Sequence, residues 1–123
     1  MTGPRREVAR ALLVDVGVLG PDLVEFAREA RDRGLAVGVA GSPPESTVDS
    51  EGLSFVECPD EVTRLSREYF VAVCLALRTA PSQCLYVDVD DRAVRAARVA
   101  GLSAYRWSSP ADLPYVRAAL GLI

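Results

Sequence analysis

Apolar residues gather in short unbroken runs, and between the runs they recur at helical spacing. Ala11-Leu12-Leu13-Val14-Asp15-Val16, Leu35-Ala36-Val37-Gly38-Val39-Ala40 and Cys84-Leu85-Tyr86-Val87-Asp88 are the strongest runs. Runs of this length without polar alternation read as strands buried on both faces of a parallel sheet. Leu53-Ser54-Phe55-Val56 and Leu102-Ser103-Ala104-Tyr105 are shorter strands of the same kind. Pro21 suits the first position of a helix. Leu23, Phe26, Ala27 and Ala30 then form its inward stripe, and Gly34 is placed to close it. Asp60 is a candidate N-cap for a second helix, with Val62, Leu65, Tyr69, Val73 and Leu77 inward and Pro81 as its stop. Asp90 or Asp91 opens a third, which carries Val94, Ala97 and Ala100 and ends at Gly101. Ser109-Pro110-Ala111-Asp112 is a capping box that opens the last helix. Residues 41–52 are polar and rich in proline, which marks a loop.

Strands and helices therefore alternate along the chain. This order predicts an α/β fold, a three-layer Rossmann-like parallel sheet of about five strands with helices on both faces. In such sheets ligands sit beyond the carboxyl ends of the strands, at the switch in strand order. Asp15 ends the first strand, Ser42 follows the second, and Asp88 ends the fourth. All three are expected to converge on one crevice.

Composition narrows the chemistry. The chain has 123 residues, the size of one domain, read as spanning 1–123 with residues 1–10 as a flexible lead. It has no histidine and no lysine, so all 14 of its basic residues are arginines. That excludes Ser-His-Asp and Cys-His machinery, histidine-ligated zinc, Schiff bases and a P-loop lysine. A net charge of −3 argues against nucleic acid and against an anionic membrane surface. Cys58, Cys74 and Cys84 are odd in number and form no C-x-x-C pair, so they read as small buried hydrophobes in a reducing compartment. Without a signal peptide or a long apolar stretch, a cytoplasmic location is expected.

Two acids at the ends of neighbouring strands can share a divalent cation. Mg²⁺ takes oxygen ligands, commonly one or two carboxylates with waters and a phosphate. The competing structural role is to cap the next helix and complement its dipole. For Asp90 and Asp91 capping is the stronger reading; for Asp15 and Asp88 the two roles weigh equally.

The stretch Leu12-Leu13-Val14-Asp15-Val16-Gly17-Val18-Leu19 resembles the first motif of the haloacid dehalogenase-like superfamily, D-x-D-G-[TV]-L after four hydrophobics. Gly34 to Pro43 is similar to the second motif, a strand ending in Ser or Thr. Pro81 to Asp88, continuing to Val94-Arg95-Ala96-Ala97-Arg98-Val99-Ala100-Gly101-Leu102, resembles the fourth. The resemblance spans residues 11–113. It implies Asp15 as nucleophile, and a Mg²⁺ site made by Asp15, the Gly17 carbonyl and Asp88 or Asp90. It implies a phosphoryl group held by Gly41 or Ser42, with Arg64 or Arg67 in place of the family lysine.

The departures point away from turnover. Position 17, where the family keeps a general acid, is glycine. The third motif's lysine is absent, and Val89 fills the second acidic place of the fourth motif. Pro21 opens a helix where the family keeps a flap. The expected protein is thus a degenerate member acting as a binding or regulatory module, with a protein partner or a second copy of the chain as its contact. The alternative is a capless Mg²⁺-dependent phosphohydrolase. A phosphoacceptor receiver domain would need a lysine after its last strand and an acceptor acid after its third. Trp107 and Tyr105 are expected to pack under the last helix, the apolar C-terminus to dock on the domain, and Arg92, Arg95 and Arg98 to form a solvated stripe.

Overall fold

A computed structural model describes residues 9–18, 20–40, 56 and 66–122. Four parallel strands form one sheet: β1 (Ala11–Asp15), β2 (Ala36–Ala40), β3 (Cys84–Asp88) and β4 (Ser103–Arg106), in the order β2-β1-β3-β4. Helices α1 (Pro21–Asp32), α2 (Arg67–Ala76), α3 (Asp91–Val99) and α4 (Leu113–Ala119) cover both faces. The α/β class and the three layers are as the pattern predicts. The third expected strand, 53–56, falls outside the described residues except for Val56. Its N–H donates to the Val39 carbonyl at 2.9 Å, beside β2.

Strand alternation sorts the core into two halves. Leu12, Val14, Val39, Leu85 and Val87 face α1 and α4, together with Leu23, Phe26, Ala27 and Val116. Ala11, Leu13, Ala40, Cys84 and Tyr86 face α2 and α3, together with Phe70, Val73, Cys74, Ala93 and Ala97. β1 and β3 are buried along their whole length, which is why their sequences show no polar alternation. Each fully buried aliphatic there contributes roughly 1.5–3 kcal/mol. Gly38 lies in β2 on the α2 face, where an added Cβ would collide with Val56 and stand 2.9 Å from Leu77 Cδ2. Its missing side chain is what lets α2 approach β2.

The second helix begins later than its stripe predicts. Ser66 is extended and accepts the Tyr69 N–H on its hydroxyl at 3.1 Å, so the cap stands at 66. Asp60, Val62 and Leu65 lie outside the described residues. The helix also ends before Pro81. Arg78 takes a left-handed conformation (φ 55°), and the Thr79 N–H closes back on the Cys74 carbonyl at 3.0 Å.

Several smaller expectations hold among the described residues. Gly34 and Gly101 have φ of 92° and 100° and end α1 and α3. Trp107, Leu120 and Leu122 are buried with Val116, so the tryptophan packs under α4 and the C-terminus docks on the domain. Cys74 and Cys84 are buried and contact one another; that contact, then burial, pushes the Cys84 thiol up. Cys58 is outside the described residues. Arg92, Arg95 and Arg98 are exposed, and Arg95 pairs with Asp91 at 3.0 Å. Arg98 does more than face solvent: it donates to the Ala104 carbonyl at 2.9 Å and so occupies part of the β4 edge.

Asp112 anchors the start of α4. It accepts the Ser108 N–H and hydroxyl (2.7 and 2.8 Å), the Ser109 N–H (3.1 Å) and the Tyr105 hydroxyl (2.9 Å). The Ser108 backbone bond is the largest cause that lowers its pKa from 3.8 to about 2. A depressed carboxyl stabilises the fold above its unfolded pKa and stops doing so as pH falls through the folded value. The stability advantage of wild type over Asp112→Asn is therefore expected to shrink between pH 4 and 2. Urea unfolding of both proteins across that window measures it.

Candidate functional site

The strand order reverses direction at β1 and β3. β2 lies on one side of β1, whereas β3 and β4 extend on the other. The pairs Leu13↔Tyr86 and Val14↔Val87 are in register, so Asp15 and Asp88 are the next residues at the carboxyl ends of adjacent strands. Adjacent strands run about 4.8 Å apart. Asp15 follows Ala11 and Leu13 by twos, and Asp88 follows Cys84 and Tyr86 by twos, so both acids rise from the α2-α3 face of the sheet. They are the buried charged side chains among the described residues, with exposures of 6% and 3%.

Each carboxylate is held in place. Asp15 Oδ2 accepts the Gly17 N–H at 2.9 Å from the 3-10 turn Val16–Val18. A Cβ at position 17 would stand 3.0 Å from that oxygen, so glycine permits the close approach. Asp88 Oδ1 accepts the Asp90 N–H at 3.0 Å, and Oδ2 accepts the Tyr86 hydroxyl at 2.5 Å. Burial, then the bond to Asp88 and the charges of Asp88 and Asp15, push the Tyr86 phenol far above its ordinary value. It therefore serves as a proton-bearing donor beneath the two acids. The Trp107 N–H meets the Asp88 carbonyl at 2.8 Å and ties the end of β4 to the same spot.

The remaining sequence-predicted residues distribute as follows. Asp90 is exposed, and its side chain caps α3 by accepting the Arg92 N–H at 2.9 Å. Gly17 lies in the turn directly after Asp15. Arg67 is exposed in the first turn of α2, a helix that packs on the face bearing the acids. Gly41, Ser42 and Arg64 lie outside the described residues. Two residues escaped the sequence reading. Tyr86 looks like core in an apolar run, although its spacing of two from Asp88 puts both on one face. Arg106 is paired in register with Asp88, which places an exposed cation at the same edge and on the same face. That register is a property of the sheet and has no local signal.

Asp15 and Asp88, at the ends of adjacent strands, carry hard oxygen donors, the kind that Mg²⁺ takes. Among the described residues no group of three or more His, Cys, Asp or Glu side chains is gathered to hold a metal. Two carboxylates match the protein share of the ligand set that Mg²⁺ takes when waters fill the rest of its shell. No helix among the described residues is long and apolar enough to cross a membrane.

No family model and no curated protein sequence matches the chain. Solved structures do. An uncharacterized protein from Corynebacterium glutamicum superposes with a TM-score of 0.76 at 20% identity, over 93% of this chain and 96% of that one. The core domain of "a putative phosphoglycolate phosphatase" from Streptococcus pneumoniae gives 0.66 at 16% identity, over 93% and 98%. The N-terminal part of a Bacteroides fragilis protein, containing a phosphatase domain and complexed with Mg, gives 0.61 at 13% identity, over 94% of this chain and 41% of that one. The chain has a haloacid dehalogenase-like fold.

Proposed function

We propose that this domain is a degenerate haloacid dehalogenase-like module that binds Mg²⁺ between Asp15 and Asp88 and performs little phosphoryl transfer. The observation that carries the reading is the pair of buried carboxylates side by side at the switch point, on a chain with glycine at 17 and no lysine. Bound there, the ion would neutralise the pair and draw an oxyanion to the rim. Asp15 and Asp88 supply the ligands, and Arg67, with Ser42 and Arg64, are the groups proposed to face the anion. A partner protein or a second copy would then read the loaded state.

Turnover is what the site lacks. General acid-base help contributes roughly 10²–10⁴-fold, and Gly17 has no proton to give a leaving group. Without a lysine, charge stabilisation in the transition state falls to arginines, and Arg67, the described one among those proposed to face the anion, is exposed. A phosphomonoester panel assayed with Mg²⁺ is expected to give rates below ~1 s⁻¹, under the ordinary enzyme range. Faster hydrolysis that Asp15→Asn removes would instead establish the second reading, a capless phosphohydrolase with Asp15 as nucleophile. The placement of Asp15 beside Asp88, and a neighbour described as a phosphatase domain complexed with Mg, favour that alternative. A magnesium titration without heat or thermal shift at millimolar levels would remove the footing of both.

A further inference from the structure

Resting on that reading of the Asp15–Asp88 pair, we infer that Tyr86 is a positioning residue that presents Asp88 to the cation. A free carboxylate has two oxygens and about four lone-pair sites. On Asp88 both oxygens are already oriented. The Asp90 N–H takes one site on Oδ1 from the turn, and the Tyr86 hydroxyl takes one on Oδ2 from inside the core. Two sites remain, and the carboxylate plane can no longer rotate freely. The phenol is itself fixed. Tyr86 is fully buried at mid-strand, and the Phe70 ring meets it edge-on at 5.2 Å.

The tyrosine hydroxyl also places the positive end of its dipole against the Asp88 carboxylate. Groups that hold a metal ligand through its free lone pair commonly change metal affinity 10- to 100-fold when removed. Tyr86 differs from a helix cap in that it comes from the hydrophobic interior. Its loss would loosen the ligand without opening the strand.

The test compares wild type, Tyr86→Phe and Val73→Ala by magnesium calorimetry and thermal melting. Phenylalanine keeps the ring contact with Phe70 and removes only the hydroxyl. Val73→Ala trims the same half of the core without touching Asp88, and so controls for general softening. The expected result is a 10- to 100-fold weaker Mg²⁺ dissociation constant for Tyr86→Phe, with Val73→Ala binding like wild type despite a lower melting temperature. Unchanged or tighter binding by Tyr86→Phe overturns the inference while leaving the cation site intact. Equal weakening in both variants overturns it too, because the effect would then be one of stability. If wild type itself takes up no magnesium, the site reading falls and this inference with it. Should Tyr86→Phe fail to fold, ring-carbon NMR of tyrosine-labelled wild type decides: magnesium must shift the Tyr86 signal, and a static Tyr86 resonance across a saturating titration counts against the role.

Discussion

Asparagine in place of Asp15 is expected to abolish the magnesium-dependent rise in melting temperature while leaving the fold intact. The side chain is buried at the end of β1, and its Oδ2 accepts the Gly17 N–H. Asparagine retains one acceptor oxygen for that bond but carries no charge. A ligand that binds only the folded state stabilises it by about 2.7 kcal/mol at a hundred times its dissociation constant. That whole increment should vanish in the variant. Melting curves of both proteins with chelator and with millimolar Mg²⁺ give the four numbers needed. A variant that keeps the full magnesium shift would place the cation elsewhere.

That Asp15 and Asp88 meet was legible because each ends an apolar run at the same topological position, and parallel strands deliver such ends to one edge. Their common face was legible too, from the count of two back to Leu13 and Tyr86. What surrounds them was not. Asp90 carries a carboxylate close behind Asp88, and spacing alone leaves it open to metal or cap; the structure turns it to the Arg92 N–H. Arg106 reaches the site edge only through the pairing of β4 with β3, a contact set by strand order and register. The start of α2 was misplaced because the apolar stripe runs upstream past Ser66 to Val62, with a second cap-competent acid at Asp60. Periodicity reports which face is apolar, and it passes through a break without registering it.

The α2-α3 half of the core depends most on one ring. Phe70 is fully buried and meets Tyr69 at 5.1 Å and Tyr86 at 5.2 Å, both edge-on. Aromatic pairs of this geometry add roughly 0.5–1.5 kcal/mol each beyond the area they bury. Truncating a buried phenylalanine to alanine typically costs about 3–5 kcal/mol, because the neighbours collapse only partly into the space. Here the space borders Tyr86, whose hydroxyl holds Asp88, so the cavity forms directly beneath the candidate site. Phe70→Ala is therefore expected at the upper end of that range, a large share of the ~5–15 kcal/mol available to a domain. Leu75, on the same helix, is 71% exposed. Its change to alanine should stay within about 0.5 kcal/mol. Urea unfolding of the two variants against wild type separates a cavity effect from a helix effect. Similar losses at both positions would mean that α2 packs on the sheet in some other orientation, with Phe70 away from Tyr86.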